Sequence, residues 1–330
     1  MNQEKHSFTE YQNFFNQIFD DKINSSSIRD FLIALNQQKY PIDSMLGAIL
    51  SLKERMAKIL NIHDVIDVCG TGGDKLNTLN ISTTVSLLLA SLKIKVAKHG
   101  NKAVSSISGS ADIFNELKIP FSSNEKMINY NLEKFNIAFL FAPDFHPSLK
   151  KIAEIRKSIK EPTIFNFIGP LLNPLNPSKQ IIGISKPEIL PQYAELVARI
   201  CPNSTIYLVS GFDNMDELTI ADNSYILEID HGKIQPIIIF NPEDIGIKKS
   251  SLDEIIGKDS KYNAQRIIDL FDGKDQSAYL DIISLNTGLA LKLVGKFDNI
   301  KEGYEFCKNY ILNRNVRNFI NNLICENQNI

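Results

Sequence analysis

The stretch from Asp64 to Thr84, D-V-I-D-V-C-G-T-G-G-D-K-L-N-T-L-N-I-S-T-T, constrains the fold of this chain more than any other. A β-branched run (Val65, Ile66, Val68) ends in a loop with three glycines, Gly70, Gly72 and Gly73, that closes on Asp74. From Asn80 onward the pattern reads as the start of a helix. Strand, glycine loop and helix N-terminus in that order make an anion site, because glycines admit close backbone approach and unpaired N–H groups face the ligand. The same arrangement also serves as a plain tight connection, and the loop alone leaves both readings open. It is not a nucleoside-triphosphate P-loop, since no Gly-Lys-Ser/Thr follows. Nor is it a dinucleotide fingerprint, since Lys75 stands where the third glycine would be. The ligand expected is a phosphate or pyrophosphate.

The rest of the chain predicts an α/β protein: a small N-terminal α-helical domain and a larger α/β domain with a mostly parallel central sheet. Residues 8 to about 60 are helical in pattern, three or four amphipathic helices, with Ser25–Ser27 as one N-cap and Pro41 opening another helix. From Asp64, strands are expected at 64–69, 94–98, 137–142, 180–185 and 204–209, with helices at about 81–92, 108–118, 146–158 and 187–200. A hairpin is expected with its turn at His231–Gly232, and helices return over 260–325. The domains are set at 1–63, completed by helices from about 146–175, and 64–330. A net charge of −2 argues against a broad nucleic-acid surface. The four cysteines lie far apart and read as reduced, mostly buried thiols of a cytoplasmic protein. The polar N-terminus predicts no signal peptide, and no apolar run approaches the roughly 20 residues of a membrane helix.

In open α/β sheets ligands sit beyond the carboxyl ends of the strands, and the polar clusters of this chain fall at such ends. The first strand ends in Gly70–Asp74. The second ends in Lys98, His99, Gly100, Asn101 and Lys102, followed by Ser105, Ser106, Ser108 and Ser110. The third ends in Ala142-Pro143-Asp144-Phe145-His146, and the fifth in Ser210 through Glu217. Ser82 and Thr83, in a first helical turn, can cap N–H groups or bind phosphate or metal. Lys98 and Lys102 supply positive charge for a polyanion. Asp216 and Glu217 suit Mg²⁺, which favours one or two carboxylates plus substrate phosphates. His99 reads equally as a ligand contact or a core imidazole, and Cys69 as packing. No general base, nucleophile or Cys/His metal cluster is evident.

These residues resemble the anthranilate phosphoribosyltransferase family. The resemblance rests on G-T-G-G-D at 70–74, N-I-S-T at 80–83, K-H-G-N at 98–101, S-S-I-S-G-S-A-D at 105–112, R-K-S-I-K-E-P-T-I-F-N-F-I-G-P-L-L-N-P at 156–174 and M-D-E-L at 215–218. It implies transfer of the 5-phosphoribosyl group from phosphoribosyl pyrophosphate to the amine of anthranilate, in tryptophan biosynthesis. It further implies that Gly70, Gly73, Asp74, Thr78, Asn80, Ile81, Ser82 and Thr83 hold phosphoribosyl pyrophosphate. Lys98, His99, Gly100, Asn101, Lys102, Ala103, Val104, Ser105, Ser106 and Ser110 would complete that site. Ser82, Asp216 and Glu217 match the magnesium ligands, with two ions per subunit implied; Gly70, Asn101 and Arg156 match the anthranilate contacts. A homodimer through the helical domain is implied, with no nucleic-acid or membrane partner.

Three positions depart from the family pattern: Lys102 for an arginine, Ile107 for a basic residue, and Ser210 where His-Gly is usual. They bear on affinity more than on reaction type. Competing readings are a pyrimidine nucleoside phosphorylase, which has a different glycine loop, and a non-catalytic phosphate- or nucleic-acid-binding relative.

Overall fold

The computed structural model describes residues 7–59, 62, 64–103, 107–159 and 161–327. Val104, Ser105 and Ser106 lie outside the described residues. The sheet contains β1 (Ile66–Gly70), β2 (Val96–Gly100), β3 (Ile137–Phe141), β4 (Lys179–Gly183), β5 (Thr205–Gly211), β6 (Ser224–Asp230), β7 (Lys233–Ile234) and β8 (Ile238–Phe240). Its order is β3-β2-β1-β4-β5-β6-β7, with β8 also pairing β6. The first five strands are mutually parallel, and β6 adds antiparallel to β5. The parallel strands are apolar runs with both faces covered, as such sheets require.

The chain runs outward from β1 to β3 and then restarts on the other side of β1 at β4. The order reverses between β1 and β4, which is where α/β sheets open a crevice for ligands.

The expected hairpin forms across Asp230 and Lys233. His231 and Gly232 both take positive φ, 47° and 76°, the geometry of a two-residue hairpin turn. Three helices, Phe8–Phe19, Ser25–Gln37 and Ile42–Arg55, make up the N-terminal part. The second is capped by the Asn24 side chain, which accepts from the Ser27 N–H, rather than by Ser25–Ser27. Phe15, Leu32 and Ile49 share one core with Phe165 and Phe167, and with Ile182 and Leu208 on one face of the sheet. The opposite face is covered by the helices Ile81–Ser91, Ser110–Glu116, Ser260–Phe271 and Ala278–Leu293. A helix over Glu125–Phe135 has no counterpart among the sequence expectations.

Two differences affect the site. β2 runs to Gly100 instead of ending at 98, so Lys98 and His99 are consecutive strand residues and point to opposite faces. β5 runs to Gly211, so Ser210 is a strand residue; its hydroxyl donates to the Ile184 carbonyl at 2.6 Å. The departure at Ser210 is thereby absorbed into the sheet. All four cysteines are free thiols, but only Cys307 is buried; Cys69 and Cys201 are half-buried and Cys325 is exposed. Among the described residues, no helix is long and apolar enough to cross a membrane.

Candidate active site

The glycine loop leaves β1 at the switch point and is tied to the end of β4. The Thr71 N–H donates to the Gly183 carbonyl at 2.9 Å, and the Ser185 hydroxyl donates to the Gly72 carbonyl at 2.9 Å. Gly72 and Gly73 take φ of 68° and 81°, which turns the loop back on itself at little steric cost. The Gly72 N–H then donates to Asp216 Oδ2 at 2.6 Å, joining the first cluster to the last across 144 positions. Gly70 and Gly183 form the cradle. A Cβ on Gly70 would lie 2.0 Å from Asp216 Oδ2, and one on Gly183 would lie 1.4 Å from the Asp216 carbonyl oxygen.

Asp74, Asp216 and Glu217 each offer a carboxylate oxygen within 4.8 Å of the others. Burial pushes the Asp74 carboxyl up to about 7, and the neighbouring Asp216 charge adds to the shift. Asp216 is raised by burial despite the Gly72 N–H, and Glu217 is raised well above the carboxylate range by burial and by the charge on Asp216. Three desolvated acids that resist ionising together are a donor set matched to a hard divalent cation.

Lys98 sits under this cluster, 1% exposed, with its ammonium donating to the Val68 carbonyl at 2.9 Å and the Ser82 hydroxyl at 3.3 Å. Burial lowers its pKa, and the charges of Asp67, Cys69 and Glu217 oppose that shift. Its ammonium lies inside the sheet, beside Ser82 and within electrostatic reach of Glu217. His99 turns the other way, against His146 at 5.4 Å between ring centroids. Burial holds their pKa values near 3 and 4, so both rings are neutral at pH 7.

The helix Ile81–Ser91 starts at Asn80, whose side chain is hydrogen-bonded at both ends of its amide. Its Nδ2 donates to the Ser108 carbonyl at 3.1 Å, and its Oδ1 accepts from Asn263 Nδ2 at 2.9 Å. The Thr83 hydroxyl donates to Ser110 at 3.1 Å. Asp112 accepts from the N–H groups of Ala103 and Gly109. Thr78 lies in an antiparallel bridge with Ile256. Asn101 and Lys102 are exposed at the mouth, where the Lys102 ammonium lies 5.9 Å from the centre of the Phe141 ring. Ile107 is 56% exposed. Arg156, on the helix Leu149–Lys157, is half-buried, and its guanidinium donates to Asn166 Oδ1 at 3.0 Å.

Sequence reasoning missed Thr71, Gly183, Ser185, Asn263 and Asn286, the last of which borders Ser82, Asp216 and Glu217 from the helix Ala278–Leu293. Ser185 follows the fourth strand, and the rule that placed the other clusters at strand ends reaches it too. Nothing local marks Asn263 or Asn286, which come from helices far along the chain.

The family described as "Glycosyl transferase family, a/b domain" matches residues 62–313. The anthranilate phosphoribosyltransferase of Dictyoglomus thermophilum is 35% identical over 317 residues, covering 96% of this chain and 94% of that protein. The chain belongs to the anthranilate phosphoribosyltransferase family. The fold agrees: the enzyme of Thermus thermophilus superposes with a TM-score of 0.88 at 25% identity, over 98% of this chain and 96% of that one. The Saccharomyces cerevisiae anthranilate phosphoribosyltransferase in complex with PRPP and Mg gives a TM-score of 0.88 at 26% identity, over 98% and 94%. Family membership makes the chain an enzyme, a pentosyltransferase that moves the 5-phosphoribosyl group from phosphoribosyl pyrophosphate to anthranilate and releases pyrophosphate. The relatives described here do not support the phosphorylase reading.

Proposed function

We propose that this transfer runs at the β1/β4 switch point, with Asp74, Asp216 and Glu217 holding Mg²⁺ beside the pyrophosphate and the glycine loop cradling its oxygens. The observation that carries the reading is the convergence of three raised carboxylates on the Gly70–Gly73 loop. Ser82 would join the ligand set, and two ions per subunit are expected. Bound Mg²⁺ supplies Lewis-acid neutralisation of the leaving group. The Asn80–Thr83 turn and the 98–106 segment with Ser110 complete the phosphoribosyl pyrophosphate site. Asp74 is expected among the phosphoribosyl pyrophosphate contacts, and its carboxylate, facing Asp216, supports a place beside the cation as well. The loop N–H groups and the nearby lysines bind charge that grows on the departing pyrophosphate, a preorganised stabilisation that lowers the barrier.

Gly70, Asn101 and Arg156 would bind anthranilate, with the Arg156 fork on its carboxylate so that the amine meets C1 of the ribose. An aromatic amine is already unprotonated at neutral pH, so the step calls for no general base. The helical segment 1–63, completed by 146–175, forms one lobe and 64–330 the other, and closure between them would bring acceptor and sugar together. A cytoplasmic homodimer through the helical lobe completes the reading. Turnover of phosphoribosyl pyrophosphate with anthranilate and Mg²⁺, followed by loss of anthranilate fluorescence, tests it. No turnover, with phosphate-dependent cleavage of a nucleoside instead, overturns it.

Arg156→Ala is expected to raise the KM for anthranilate about 10- to 100-fold, the worth of a charged hydrogen-bonded pair, with the KM for phosphoribosyl pyrophosphate little changed. Arg156→Lys should fall between, since it keeps the charge and loses the fork. Equal rises in both KM values would contradict a carboxylate clamp.

The carboxyl cluster also sets a pH dependence. Asp74 titrates near 7 when folded and near 3.8 when unfolded. The unfolded chain therefore gives up its proton first, and the metal-free protein loses stability as pH rises from about 4 to 7. The Tm in chelator should fall between pH 5 and pH 8, and Mg²⁺ should raise it more at pH 8. An equal Mg²⁺ increment at both pH values would refute this.

A further inference from the structure

Asn286 stands in the middle of the helix Ala278–Leu293, a segment otherwise dominated by buried apolar residues, and is 4% exposed. A side-chain amide there is a poor helix residue and is expensive to bury unless its groups are paired. Its groups are paired, and two of its bonds reach outside the helix. Oδ1 accepts from the Leu218 N–H at 3.0 Å, and Nδ2 donates to the Leu218 carbonyl at 3.0 Å and to Ile282 of its own helix at 2.9 Å. The two bonds to Leu218 imitate a peptide pair and fix both backbone groups of the residue that follows Glu217.

The same loop is held at its other end. Asp213 accepts from the Met215 N–H at 3.1 Å and from the Thr219 hydroxyl at 2.6 Å. Asn286 also lines, with Ser82, Asp216 and Glu217, a cavity of about 10 Å³. It thus borders the carboxylates without hydrogen-bonding to them.

We propose that Asn286 is a positioning residue: by clamping Leu218 it aims Glu217 at Asp74 and Asp216, and so sets the divalent-cation affinity of the site. This rests on the reading of Asp216 and Glu217 as cation ligands. Partners that orient ligands from behind typically change metal affinity 10- to 100-fold when removed.

The test is Mn²⁺ binding to the whole protein without substrate, read from the electron paramagnetic resonance signal of the free ion. Asn286→Leu keeps the branching and the heavy-atom count and removes all three hydrogen bonds; Asn286→Ser, which is smaller, is the second variant, read in the same way if the first does not fold. The expected result is an Mn²⁺ Kd raised about tenfold, with far-UV circular dichroism preserved and the KM for anthranilate within about twofold of wild type. A folded variant with wild-type Mn²⁺ affinity overturns the inference. Asp216→Asn, measured in parallel, separates the two levels. If it keeps wild-type Mn²⁺ binding, the cation-site reading itself fails; if it loses binding while Asn286→Leu or Asn286→Ser keeps it, only the positioning role fails.

Discussion

Gly183→Ala should destabilise the protein by about 3 kcal/mol and reduce kcat/KM at least about 100-fold. The added methyl would lie 1.4 Å from the Asp216 carbonyl oxygen and 2.3 Å from its carbonyl carbon. Both are backbone atoms, so no rotamer relieves the clash. Gly183 cannot retreat either, because it is paired in the sheet between Gly70 and Val209. The loop bearing Asp216 and Glu217 must move instead, and it carries two of the three converging carboxylates. Gly70→Ala provides the contrast. Its methyl meets the end of the Asp216 side chain, 2.0 Å from Oδ2, and that side chain can swing away. The stability loss should then be about 1 kcal/mol, with an activity loss similar to that of Gly183→Ala. Chemical denaturation and steady-state kinetics on both variants check this; equal stability losses would mean that the crowding at Gly70 is not relieved by rotation.

Asp216→Asn should lower kcat/KM by about 10²- to 10³-fold at saturating wild-type Mg²⁺ and shift the Mg²⁺ requirement upward. The amide is nearly isosteric, so packing against the glycine loop is retained while the charge is lost. The same substitution should stabilise the metal-free protein at pH 8, because the buried member of three crowded acids no longer carries charge. Opposite signs on activity and metal-free stability distinguish a functional carboxylate from one kept for packing. Wild-type rates at low Mg²⁺ would remove Asp216 from the site.

The glycine loop was readable because its signals are local: a β-branched run, glycines free to take positive φ, and hydroxyls at a helix start. The Asp216–Glu217 pair was readable as acid in a polar loop at a strand end. Lys98 and His99 were harder. The expected strand ends at Lys98 and leaves His99 beyond it, yet both stay in β2 and face opposite sides of the sheet. The alternation of consecutive strand residues decides which of them reaches Ser82. Ser210 was misplaced because β5 continues to Gly211.

Sequence by itself determined the five parallel strands and most of the helices between them, the anion-binding shape of the Gly70–Asp74 loop and the family to which its motifs point. All of these depend on residues close together along the chain, where propensity and turn chemistry act directly. Only the tertiary structure decided that Asp74 faces Asp216, that Gly183 must lack a side chain and that Asn286 holds the loop after Glu217. Those are packing contacts between segments tens to more than a hundred positions apart. They exist only once the sheet order reverses between β1 and β4 and brings the strand ends together.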